Sequence, residues 1–117
     1  MSDDERRKFR RVRAPVFCRP TGPLASIRYE TKDIGIGGIR VLSDEKHKVG
    51  QHIDIELLLP SQEFLSLTAK VVWVSKGQAG WETGLSFVDV SPMDLKLLEP
   101  ILESEGTDKT IKAPRVI

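Results

Sequence analysis

Apolar side chains recur at every second position through most of the chain, the period of a strand with one buried face. The clearest run is His52 to Leu59, where Ile53, Ile55, Leu57 and Leu59 share one parity until Pro60 ends the ladder. Phe64 to Ser75 continues the pattern with Leu65, Leu67, Ala69, Val71 and Trp73, and Lys76-Gly77-Gln78-Ala79-Gly80 joins it as a hairpin to Trp81 through Val88. Upstream, Val16-Phe17-Cys18-Arg19 stops at Pro20-Thr21-Gly22-Pro23. Ala25 to Lys32 sets Ile27 and Tyr29 against Arg28 and Glu30, and Ile39 to Leu42 resumes a strand beyond the glycine-rich turn Asp33 to Gly38. The pattern thus predicts a mainly β protein of six antiparallel strands.

The period changes once, at Ser91-Pro92-Met93-Asp94. An N-capping serine, a proline at the first helical position and an acid in the first turn start a helix. Leu95, Leu98 and Leu102 share its inner face, and Pro100 is expected to kink or split it. Six short strands and one helix close most economically as a small barrel, the helix covering an open end or edge.

Composition adds bounds. The 117 residues suffice for one core, and 39% apolar with 30% charged residues is a globular balance. The charge is nearly neutral overall, 18 basic against 17 acidic residues, yet unevenly placed. Arg6, Arg7, Lys8, Arg10, Arg11 and Arg13 crowd the first 13 residues, while Asp89 to Glu105 is acidic. The reading is a flexible basic arm over 1–13, a barrel with its helix over 14–105, and a loose tail over 106–117.

The single cysteine, Cys18, cannot form an intramolecular disulfide and fits a reducing compartment. The longest aliphatic run, Leu57-Leu58-Leu59, cannot span a bilayer, and the N-terminus has no apolar leader pattern, so a cytoplasmic protein without membrane insertion is expected. His47 and His52 have no cysteine beside them and read as surface histidines, so no metal is expected. No nucleophile stands in a constellation that would support a catalytic triad, so no catalytic residue and no enzyme activity are expected. Trp73 and Trp81 flank the hairpin and read as cross-strand packing residues, and Cys18 as a half-buried strand residue.

Two motifs remain. Glu5-Arg6-Arg7-Lys8-Phe9-Arg10-Arg11 contains Arg7-x-x-x-Arg11, and Asp33-x-Gly35-x-x-Gly38 follows about twenty residues later. With the Val71-Val72-Trp73-Val74 strand, Gly84-x-x-Phe87 and a closing helix, the order resembles the PilZ domain family, bacterial receptor modules for cyclic dimeric GMP. The resemblance covers residues 5 to about 103. It implies a six-stranded PilZ-type barrel whose arm wraps over bound ligand, with Arg7, Arg11, Asp33, Gly35 and Gly38 as ligand-binding residues and Arg6, Arg10 and Arg40 as further candidates.

The chemistry agrees with that implication. A guanine's Hoogsteen edge offers N7 and O6 as paired acceptors for an arginine fork, its N1 and N2 protons suit a carboxylate such as Asp33, and arginine also pairs with phosphate. Gly38 would let backbone approach the ligand or take a positive φ. Gly35 stands where the family usually has serine; a lost hydroxyl bond costs about 0.5 to 1.5 kcal/mol. The expected function is a cyclic dimeric GMP receptor that changes its surface to regulate an effector protein in motility, biofilm or related signalling, as a monomer or weak dimer without cofactor. The alternative is a member that binds little nucleotide and works as an interaction adaptor in motility, polarity or chemosensory assemblies. No specific nucleic acid is expected, although the arm alone would bind polyanions with a steep salt dependence.

Overall fold

A computed structural model describes residues 11–13 and 16–107. It contains one antiparallel sheet: β1 (Arg11–Val12), β2 (Phe17–Pro20), β3 (Tyr29–Gly35), β4 (Gly38–Ser43), β5 (His52–Leu58), β6 (Phe64–Lys76) and β7 (Trp81–Val88), followed by helix α1 (Pro92–Thr107). The strand order is β1-β3-β4-β7-β6-β5-β2. Edge strand β2 packs beside β3, so the six longer strands curl into a nearly closed barrel, and α1 lies against β1.

Alternation makes the core. Val16 and Cys18 of the β2 region, Ile53, Ile55 and Leu57 of β5, and Leu65, Leu67, Ala69 and Val71 of β6 all point inward and are buried. The helix seals them with Leu98, backed by Leu97, Ile101 and Leu102, while Leu95 is only half-buried. Its start is a reciprocal cap: Asp94 N–H donates to Ser91 Oγ and Ser91 N–H donates to Asp94 Oδ2, both at 3.1 Å. Pro100 does not split the helix, which runs on to Thr107.

Several expectations change in detail. β1 is a seventh strand, built from Arg11 and Val12, with Val12 buried between the sheet and the helix side. Residues Gly22–Leu24 form a 3-10 turn, so β3 begins at Tyr29 rather than Ala25. Asp33 and Gly35 lie within β3, and the expected long turn shrinks to a hairpin loop of Ile36 and Gly37.

Two irregularities matter most. In β3 the register shifts between Thr31, opposite Val41, and Asp33, opposite Arg40, leaving Lys32 as the extra residue of a bulge. In β6 it shifts between Val71, opposite Leu85, and Trp73, opposite Gly84, leaving Val72. Trp73 therefore leaves the inward parity expected for it and is 40% exposed, while Val74 turns toward the core.

Candidate functional site

The two bulges lie at opposite ends of one transverse row. Asp33 pairs with Arg40, Arg40 with Gly84 and Gly84 with Trp73 across β3, β4, β7 and β6. With regular pairing Asp33 would sit opposite the fully buried Ile39 and Trp73 opposite the fully buried Thr83. Each bulge shifts the residues after it by one and so turns a polar or bulky side chain from the core to the outer face.

The same pairing places Arg11 beside Gly35, Gly35 beside Gly38, Gly38 beside Ser86 and Ser86 beside Lys70. This second outward row has no side chain larger than serine from β3 to β7. A groove of about 470 Å³ results, lined by Asp33, Arg40, Val72, Trp73 and Ser86 among others. Its floor is built on close approach. A Cβ on Gly38 would overlap the Leu85 carbonyl oxygen and come within 3.2 Å of the Ser86 Cα, and a Cβ on Gly84 would overlap the Trp73 indole, which lies across that glycine.

Electrostatics at the rim are already paired. Arg40 Nε–H donates to Asp33 Oδ2 at 2.9 Å and Nη2 reaches the same oxygen at 2.7 Å, while Nη1–H donates to Glu82 Oε1 at 3.1 Å. Asp33 is therefore held by a cross-strand arginine, and Arg40 spans two carboxylates rather than facing solvent alone.

Of the sequence candidates, Asp33, Gly35, Gly38 and Arg40 come together on this face, and Arg11 joins them through the backbone register of β1 with β3. Arg6, Arg7 and Arg10 lie outside the described residues. The reading missed Trp73, Ser86 and Glu82 as groove or rim residues. The signal for Trp73 was the run Val71-Val72-Trp73, in which three apolar residues in a row already break strict alternation.

Other candidates resolve differently. His47 is not a surface residue: it is 3% exposed, and its Nε2 lies 2.7 Å from the Tyr29 hydroxyl in a hydrogen bond, with the rings edge-to-face. Burial pushes its pKa down, an effect that Glu45 partly opposes. Cys18 is buried outright, and desolvation raises its thiol to about 12, far from the reactive thiolate range. Trp81 is flanked by the Lys46 and Lys76 ammonium groups, 5.2 and 4.8 Å from its ring centroid. A larger groove of about 690 Å³ is lined by Asp54, Asp89 and Asp94, the wrong sign for an anion. Among the described residues no group of three His, Cys, Asp or Glu side chains could hold a metal, and no helix is long and apolar enough to cross a membrane.

Comparison with known proteins adds an independent line. The profile of the PilZ domain matches residues 5–104. Among solved structures, YcgR of Escherichia coli in complex with c-di-GMP is 24% identical with a TM-score of 0.75, covering 96% of this chain and 51% of that one. The PilZ domain of the same protein with c-di-GMP is 23% identical, TM-score 0.68, covering 92% of this chain and 98% of the domain. The Bacillus subtilis inhibitor of motility MotI/DgrA is 20% identical, TM-score 0.72, covering 85% of this chain and 50% of that one. The chain thus spans about half the length of the YcgR and MotI chains. A comparison with the curated proteins finds no match.

Proposed function

The chain belongs to the PilZ domain family, and from that premise we propose that it is a non-enzymatic cyclic dimeric GMP receptor which regulates an effector protein, in motility or a related signalling output. One observation carries the reading: the register sets Arg11, the end of the Arg7-x-x-x-Arg11 motif, directly beside Gly35 of the Asp33-x-Gly35-x-x-Gly38 motif. The two motifs, more than twenty positions apart in sequence, thus meet in one backbone ladder.

In this reading Asp33 accepts from guanine N1–H and N2–H, and Arg7 and Arg11 take a Hoogsteen edge or the phosphates. The bare Gly35-Gly38-Ser86 strip admits the flat macrocycle, and the exposed Trp73 indole offers a stacking face, worth about 1 to 3 kcal/mol per base. Bound structures of YcgR with the same ligand support the choice of nucleotide, and the name of MotI supports a motility output. The output has a structural route as well. Strand β1 lies between β3 of the groove and helix α1, so an arm drawn over ligand pulls on the strand the helix covers.

Isothermal titration with cyclic dimeric GMP tests the reading, beside an Arg7→Ala, Arg11→Ala double variant and a linear dinucleotide. Saturable heat lost in the variant supports a receptor and gives the stoichiometry. No heat and no thermal shift at high ligand excess overturns it. The adaptor reading then takes its place, favoured by Gly35 where the family usually has serine.

A further inference from the structure

Two lysines crowd one tryptophan at the hairpin end of the barrel. The Lys46 and Lys76 ammonium groups lie 5.2 and 4.8 Å from the centroid of the Trp81 ring, and both lysines are exposed. The ring's negative face attracts each cation but carries no formal charge, so both positive charges remain uncompensated. Among the described residues no carboxylate lies within ion-pair distance of either ammonium, and Glu82, next to Trp81 in the chain, is turned to Arg40. The arrangement is also fixed in place. Lys76 pairs with Trp81 across the β6–β7 ladder, and Gly77 N–H donates to Gly80 O at 2.7 Å to close the turn. Lys46 is bracketed by Ser43, whose Oγ–H donates to Glu45 O at 2.7 Å, and by the buried His47, hydrogen-bonded to the Tyr29 hydroxyl.

We propose that this corner, formed by Lys46, Trp81 and Lys76, is a docking surface for an acidic segment of a partner protein that brings carboxylates to both ammonium groups. An ammonium has three N–H donors, and the ring takes only the side turned toward it. The remaining donors are open to charge-assisted hydrogen bonds with an arriving carboxylate. Because the loop and the hairpin already hold both lysines at one ring, less side-chain freedom is lost when the partner binds. A nucleic acid fits less well. A base stacking on the indole would compete with the ammonium groups for it, and two cations are too few to hold a phosphate chain on a molecule with 18 basic against 17 acidic residues. Neither lysine nor Trp81 lines the groove that holds Asp33 and Trp73. The inference therefore goes beyond the receptor reading and does not rest on it.

Hexaglutamate is the probe, titrated without nucleotide into the isotope-labelled chain at low salt, and the readout is the Trp81 indole N–H signal in nuclear magnetic resonance. Trp73, the other tryptophan, lines the groove and serves as an internal reference, and Trp81→Phe identifies which signal is which. The expected result is a saturable shift of Trp81 with Trp73 unmoved, weakening as salt rises. The double variant Lys46→Gln, Lys76→Gln is expected to raise the dissociation constant about fivefold or more, whereas Lys48→Gln, the same loss of charge on the same loop, changes it less than about twofold. The two single variants each show part of the loss and keep the test usable if the double variant unfolds. The proposal is overturned by an unmoved Trp81 signal, by a loss in Lys48→Gln equal to that of the double variant, or by a shift of Trp73 in place of Trp81. A short oligothymidylate that shifts Trp81 at lower concentration than hexaglutamate also overturns it, in favour of a nucleic acid. Since no nucleotide second messenger is present, each of these failures is distinct from a failure to bind cyclic dimeric GMP.

Discussion

Gly37 and Gly38 are neighbours with opposite tolerances. A Cβ at Gly37 meets nothing within 4 Å, whereas one at Gly38 runs into the β7 backbone at Leu85 and Ser86. Neither has a left-handed φ, so the difference is one of space alone. The backbone at Leu85 can yield only by opening the β4–β7 pairing, since it is held in the ladder on that side. Gly38→Ala is therefore expected to cost about 1 to 3 kcal/mol by overpacking, and Gly37→Ala to stay within about 0.5 kcal/mol. Urea unfolding of the two variants measures both; equal stability would show that the hairpin moves freely. The sequence reading gave Gly38 to ligand approach or a positive φ. The structure shows that the nearer reason is strand against strand, a contact between residues 38 and 85 that no local pattern announces.

Among the elements, those with strict periodicity were legible and those that depend on a break in it were not. β5 follows from Ile53, Ile55, Leu57 and Leu59, and the start of α1 from Ser91-Pro92-Met93-Asp94, because each is specified within a few residues. The cap is local enough to test alone. Ser91→Ala removes the acceptor of the Asp94 N–H and is expected to cost about 1 kcal/mol, seen as a lower thermal midpoint with the β signal in circular dichroism intact below it. No change would mean that the packing of Leu98, not the cap, holds the first turn. The bulges at Lys32 and Val72 were illegible for a physical reason: a bulge is chosen by which register buries more apolar and fewer charged side chains over both strands. Only the partner strands reveal that Asp33 would otherwise oppose Ile39 and Trp73 oppose Thr83. Strand β1 was hidden in the same way, since two residues carry no period and it exists through its pairing with Ile34 and Gly35. The site was thus half readable: its residue types were in the motifs, but the row that joins Asp33, Arg40, Gly84 and Trp73 was not.

At the scale of the whole molecule, two buried titratable groups, His47 and Cys18, and the half-buried Tyr29 set a window of pH. His47 is held neutral, its pKa lowered from 6.5 by burial against the smaller opposing pull of Glu45. In the unfolded chain the imidazole binds its proton near 6.5, while the folded protein resists it. Below that pH the unfolded state holds more protons, and stability falls as pH falls until the folded ring titrates too. A protonated ring could also no longer accept at Nε2 from the Tyr29 hydroxyl. Cys18 and Tyr29 act at the other end. Burial raises the thiol from 9.0 to about 12, and burial, with the neighbouring Cys18 adding to it, raises the Tyr29 phenol above its ordinary 10.0. The unfolded chain then loses protons that the folded protein keeps, so stability falls as pH rises above about 9. Thermal midpoints across pH 5 to 11 should show a plateau between about 6.5 and 9. His47→Gln should flatten the limb below 6.5, and Cys18→Ala should remove the fall that begins near 9 while the Tyr29 part above about 10 remains, each leaving the other limb in place. Unchanged slopes in both variants would mean that these groups ionise in place, with water entering the barrel end before the sheet opens.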